Sequence, residues 1–152
     1  MKNHGQFAQL LLRISLGIGF LSPVFDRFGW LGVPGGKNIA WGNWDAFLNY
    51  VHVLLPFLSV TIANFFGMAA TLTEAILGVC LILGFQTKYA ALGSFLLTLI
   101  FVLCMTVTIG FKAPLNYSVP AFSTGSLLLS AIPGYRWSLD RLLIKPISKT
   151  FK

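Results

Sequence analysis

The sequence predicts an all-α, integral membrane four-helix bundle, with N- and C-termini cytoplasmic and an interfacial amphipathic helix in the first loop. Three observations lead there. The chain is 56% hydrophobic and only 10% charged, whereas a soluble domain carries about 25% charge. Its hydrophobicity is gathered into blocks at 7–25, 64–85, 89–111 and 115–132, each near the roughly 20 helical residues that cross a bilayer core. None of these blocks alternates polar and apolar residues as barrel strands do, so backbone groups in lipid must be satisfied within helices. Residues 1–152 then form a single membrane domain.

The first block carries Arg13 directly behind Leu10, Leu11 and Leu12. Lys2 gives it the basic start of a secretory leader. Arg13 interrupts the apolar core, however, and Leu21-Ser22-Pro23-Val24 has no A-x-A-like cleavage site, so the expectation is a retained span. Residues 26–63 are expected to form an outer loop. Within it Val33-Pro34-Gly35-Gly36 marks a turn. From Asn43 to Leu55, apolar residues at Trp44, Phe47, Leu48, Val51, Leu54 and Leu55 share one helical face. Asp45, Asn49 and His52 occupy the other. Asn43 is suited to cap this helix and Pro56 to stop it. Trp41, Trp44 and His52 are the candidate lid residues. They form either an interfacial anchor, for which amphipathic rings are suited, or a gate over a pocket for an apolar ligand.

Two connections are short. Gln86-Thr87-Lys88 joins the second and third blocks, and Lys112-Ala113-Pro114 joins the third and fourth. Loops of that length make antiparallel neighbours. Residues 133–152 form a basic tail that also carries Leu139, Leu142, Leu143, Ile144 and Ile147, and this tail is expected on the inner leaflet.

Charge sets the orientation. With four spans, Lys2, Lys88, Arg136, Arg141, Lys145, Lys149 and Lys152 fall on one side, and Arg27, Lys37 and Lys112 on the other. Excess Lys and Arg marks the cytoplasmic side. The net charge of +7 therefore reads as topology and attraction to anionic lipid. The cations are scattered over loops and a short tail, which argues against nucleic-acid binding.

A charge within a span faces the interior or water and needs a partner. The one acid inside the predicted spans is Glu74, so Arg13 and Glu74 are the expected buried pair. Polar or small residues recur around both at helical steps: Gln6, Gln9, Arg13 and Gly17 in the first block; Gly67, Thr71, Glu74 and Gly78 in the second; Asn116, Ser123, Ser126 and Ser130 in the fourth. Each set lies on one face. The candidate ligand-binding residues are accordingly Arg13, Glu74, Thr71, Gln9, Asn116 and Ser123. Their alternative role is to fix helix register. The pairing has a geometric difficulty, because helical side chains lean toward their own N-terminus, and in antiparallel helices Arg13 and Glu74 lean apart.

Other chemistry is sparse. Cys80 and Cys104 fall roughly 15 Å apart along a hairpin, too far for a disulfide. His4 and His52 belong to different elements, so no metal site is expected. The sequence has no P-loop, dinucleotide fingerprint or Ser-His-Asp arrangement, and no catalytic constellation or cofactor motif is visible.

Three stretches together resemble the DoxX family of small bacterial membrane proteins: "LLLRISLGIGFL" at 10–21, "EAILGVCLILGFQTKYAALG" at 74–93 and "PGYRWSLD" at 133–140. Lys88 stands where Arg is more usual. The resemblance covers nearly the whole chain outside 26–63, and it matches Arg13 and Glu74 to the family's polar positions. It implies a four-helix bundle in the bacterial cytoplasmic (inner) membrane. It also implies an accessory or quinone- or lipid-binding subunit of a membrane-associated oxidoreductase system, with a quinone as the ligand and a cytoplasmic redox protein as the partner. If the protein is an enzyme, it is expected to act as a quinone-linked oxidoreductase subunit. The alternatives are a small transporter or channel using Glu74, and a purely structural partner-docking protein. A homo-oligomer is compatible with each.

Overall fold

A computed structural model describes residues 2–143. Those residues form helices α1 (Lys2–Arg27), α2 (Trp44–Leu54), α3 (Val60–Leu83), α4 (Thr87–Thr108), α5 (Lys112–Asn116), α6 (Val119–Ala131) and α7 (Leu139–Leu143), with no strand among them. Three of these, α1, α3 and α4, are long and apolar enough to cross a membrane.

The fourth apolar block departs from expectation. The predicted span 115–132 is split between α5 and α6, with Ser118 between them at φ 55. Proline is the cause. In a continuous helix Pro120 would have no N–H for the Asn116 carbonyl, and its ring would strike that carbonyl. A new helix begins at Val119 instead, with Pro120 in its first turn, where the missing donor is harmless. The 13 residues of α6 rise only about 20 Å, short of a bilayer core of about 30 Å.

Helix α1 packs along α3, and α6 packs along α4; α3 also meets α4, and α1 meets α6. Glycines set the tightest approach. A Cβ on Gly17 would lie 3.0 Å from the Gly78 carbonyl oxygen, and a Cβ on Gly78 would lie 3.1 Å from that of Gly17. Small residues let backbones approach this closely. Gly84, at φ 67, caps α3 in the left-handed conformation and starts the turn into α4.

The interior is more polar than the exterior. Leu16, Phe20, Leu81, Ala90, Ala91 and Leu129 form the main apolar cluster. Buried beside them are Gln9, Arg13, Arg27, Glu74, Thr98, Ser94 and Ser126. Outside, Phe66, Leu72, Ile76, Leu103 and Val107 face away from the protein. A protein in water would not show so continuous an apolar coat, whereas in lipid such a coat costs nothing. The polar face predicted for α3 lies inward in full: Gly67, Thr71, Glu74 and Gly78 are all buried.

The segment between α1 and α3 folds back on the protein. Asn43 caps α2, its side chain accepting from the Ala46 N–H at 2.8 Å. Phe47 and Val51 are buried against α3, where Gly67 leaves room for Val51, Leu48 and Phe47. The helix ends at Leu54, just before Pro56. Of the predicted basic tail 133–152, residues 144–152 lie outside the described residues.

Candidate functional site

Two arginines of α1 are buried, Arg13 at 2% exposure and Arg27 at 3%. They lie 14 residues apart, close to four helical turns, so they share a face at levels about 21 Å apart. Their surroundings differ.

Glu74 pairs with Arg27, not with Arg13. This corrects the pair expected from sequence. The reason is register. The contact of Gly17 with Gly78 and Ile82, and of Arg13 with Gly84, places Arg13 level with the end of α3. Glu74 is 10 residues earlier on that helix, or about 15 Å away along the axis. Side-chain lean acts in the same direction. Arg27 leans back along α1 and Glu74 leans back along α3, and in antiparallel helices those directions converge. Arg27, assigned to a loop by sequence, is the last residue of α1.

The Arg27 guanidinium is buried between α3 and the outer segment. Its Nη1 donates to Glu74 Oε2 and, at 2.7 Å, to Thr71 Oγ1. Thr71 in turn donates to the Gly67 carbonyl at 2.9 Å. Phe47 lies 4.0 Å from the guanidinium carbon and Trp41 5.1 Å, both measured to the ring centroid. A cation over an aromatic face is favourable, more so when desolvated. Trp41 is held there by the residue before Arg27: Asp26 Oδ2 accepts from the Trp41 N–H at 2.9 Å and the Ala40 N–H at 3.1 Å. The buried Arg27 Nε has no partner among the described residues.

The proposed lid residues are therefore divided. Trp41 roofs the ion pair. Trp44 stacks on Phe28, with centroids 5.9 Å apart, and His52 Nε2 donates to Asn64 Oδ1 at 2.7 Å. Asn116 is exposed, and Ser123 faces the Phe95 carbonyl at 3.5 Å; neither joins Glu74. Phe47, Asp26 and Arg27 were not foreseen as site residues. A signal for Arg27 is present in the sequence, since the inward face of α1 runs Gln9, Arg13, Leu16, Phe20, Val24, Arg27 at steps of three and four.

Midway along α1, level with the end of α3, Arg13 Nη2 donates to the Trp137 carbonyl at 2.6 Å. Its Nε and Nη1 have no acceptor among the described residues. The closing segment wraps this end. Asp140 caps α4, accepting from the Gln86 N–H at 2.6 Å and the Thr87 N–H at 2.8 Å. The Gln9 side-chain Oε1 accepts from the Arg136 N–H at 3.1 Å. The Tyr135 hydroxyl donates to the Leu129 carbonyl at 3.0 Å. Burial, and then the charge of Asp140, raise that hydroxyl's pKa above its ordinary value.

Comparison with family models, with curated proteins and with solved structures finds no match to this chain.

Proposed function

We propose that the chain is a DoxX-like, multi-pass protein of the bacterial inner membrane that serves a membrane-associated oxidoreductase as an accessory, ligand-holding subunit. Helices α1, α3 and α4, with α5 and α6 together as the fourth crossing, form the membrane bundle, with both termini cytoplasmic, and α2 lies in the outer interface. The basic cytoplasmic face docks the redox partner. The observation that carries this reading is the arginine–carboxylate pair set between apolar helices beneath Trp41 and Phe47. Ionisable groups at such depth are costly and mark functional positions.

The ligand proposed for this site is a quinone, and the residues fit one. Arg27 Nε is an orphaned, buried donor, suited to a carbonyl oxygen. Trp41 and Phe47 offer flat apolar faces beside it. A quinone, when bound, supplies a carrier for two electrons and two protons. Arg27 orients the polar head, Glu74 and Thr71 hold the guanidinium in place, and the lid excludes water.

The test is mass spectrometry of organic extracts from the purified protein. The variant to use is Arg27→Met with Glu74→Leu, because replacing a buried pair together is often near neutral in stability. A stoichiometric quinone in the native protein, lost in the double variant, is the expected result. Quinone retained in a folded double variant overturns the assignment. A second reading has its own support. Arg27, Glu74 and Thr71 satisfy one another, and Asp26 pins the loop, so the cluster locks the outer segment onto the helices without any ligand. Extracts that hold only bulk phospholipid, identical in both proteins, would establish that reading.

A further inference from the structure

The opposite end of the molecule carries a separate feature. A groove of about 1410 Å³ lies between the start of α1, the α3–α4 turn and the closing segment, and its walls include Gln9, Thr87, Lys88, Tyr89, Arg136 and Arg141. We propose that this groove binds the phosphate of an anionic phospholipid headgroup.

Charge is the first reason. Lys88, Arg136 and Arg141 line the groove, and Asp140 is its sole carboxylate among the described residues. Asp140 is already committed to two N–H groups of the α4 N-terminus. It also lies close enough to act on Arg13, whose guanidinium sits behind the groove against Gly84 and Ser138. Three cations thus line the groove against one engaged acid, with Arg13 buried behind it, and the groove carries a net positive charge.

Unmet donors are the second reason. Gln9 is 3% exposed and Thr87 is 0% exposed, and both line the groove. Gln9 Nε2 and Thr87 Oγ1 have no partner among the described residues. Buried polar groups are rarely left so. An amide N–H and a hydroxyl beside three cations are what a phosphate oxygen accepts from. The wall also offers Tyr89, Ile132 and Leu143, apolar surface for the glycerol and upper acyl chain. Basic pockets between membrane helices near the cytoplasmic leaflet suit anionic lipid heads. The site rests on the membrane reading but not on the quinone, which would sit at the far end of α1.

Native mass spectrometry of the full chain in detergent, with added phosphatidylglycerol or phosphatidylcholine, tests the assignment. The informative variant is Lys88→Gln with Arg141→Gln, since both residues are exposed and the fold does not need them. Phosphatidylglycerol should bind at least tenfold better than phosphatidylcholine to the native protein. The double variant should weaken it on the order of 30-fold, from two basic residues near the membrane surface. Gln9→Glu keeps the acceptor for the Arg136 N–H and places a carboxylate in the groove, so it should also lower phosphatidylglycerol binding. Equal retention of the two lipids, or phosphatidylglycerol binding unchanged in the double variant, overturns the proposal. Displacement of phosphatidylglycerol by millimolar inorganic phosphate overturns the lipid as occupant and makes a soluble phosphate the ligand.

Discussion

Arg13 and Arg27 are the same residue on the same face of one helix, and they solve burial differently. Arg27 sits where α3 supplies a carboxylate and a hydroxyl, and where the loop supplies two aromatic faces. Arg13 sits where α3 has ended, and it meets one carbonyl oxygen of the closing segment. At the Arg27 end the charge is paired with a carboxylate, whereas at the Arg13 end it is only partly answered, and the side chain lies fully buried behind a groove that it does not line. The comparison teaches that a buried cation is defined by what the register of the neighbouring helix brings to its level, not by its position in an apolar run.

The sharpest way to break the comparison is to remove one partner of the buried pair. Glu74→Leu alone leaves Arg27 buried without its counter-ion, and about 3–5 kcal/mol of stability should be lost. Thermal unfolding in detergent, followed by helical circular dichroism, reads this directly. Arg27→Met with Glu74→Leu should recover most of that loss. A single variant as stable as the native protein would mean that the pair is not an electrostatic unit.

Arg13→Leu should cost less. It removes one hydrogen bond and also relieves two unmatched donors, so the loss should be about 1–2 kcal/mol. The same melting measurement ranks it against Glu74→Leu. If Arg13→Leu proves the more damaging, the Arg13 end is the better satisfied one and the contrast is inverted.

The smallest effect should come from the lid. Asn43→Ala removes the α2 cap and should cost about 1 kcal/mol. It should loosen the Arg27 end alone. Tryptophan fluorescence should report a more solvated Trp41 or Trp44, while phosphatidylglycerol binding at the far groove stays unchanged. A change at both ends would show that the two regions are coupled.

The α2 segment shows how much was legible in sequence. Its cap at Asn43, its buried Phe47 and Val51 and its stop before Pro56 are local properties, set by spacing and by what each side chain can bond. The inward stripe of α3 was legible for the same reason. The break at Ser118 and Pro120 was also local, but a long apolar block concealed it, because hydropathy counts residues and ignores a missing N–H. Asp140 was not legible at all as a cap, since the α4 N–H groups it satisfies lie more than fifty residues away in the chain.

What the sequence by itself determined is the apolar character of the chain and three of the four spans expected from it, with their polar faces, and a capped amphipathic helix between the first two. These follow from composition and from the 3.6-residue period, which any chain carries with it. Only the tertiary structure decided which charges meet. The meeting of Gly17 with Gly78 sets how far α1 slides along α3, and a shift of about 15 Å in that slide exchanges one arginine for the other beside Glu74. Sequence holds both arginines on the same face; the glycine contact chooses between them.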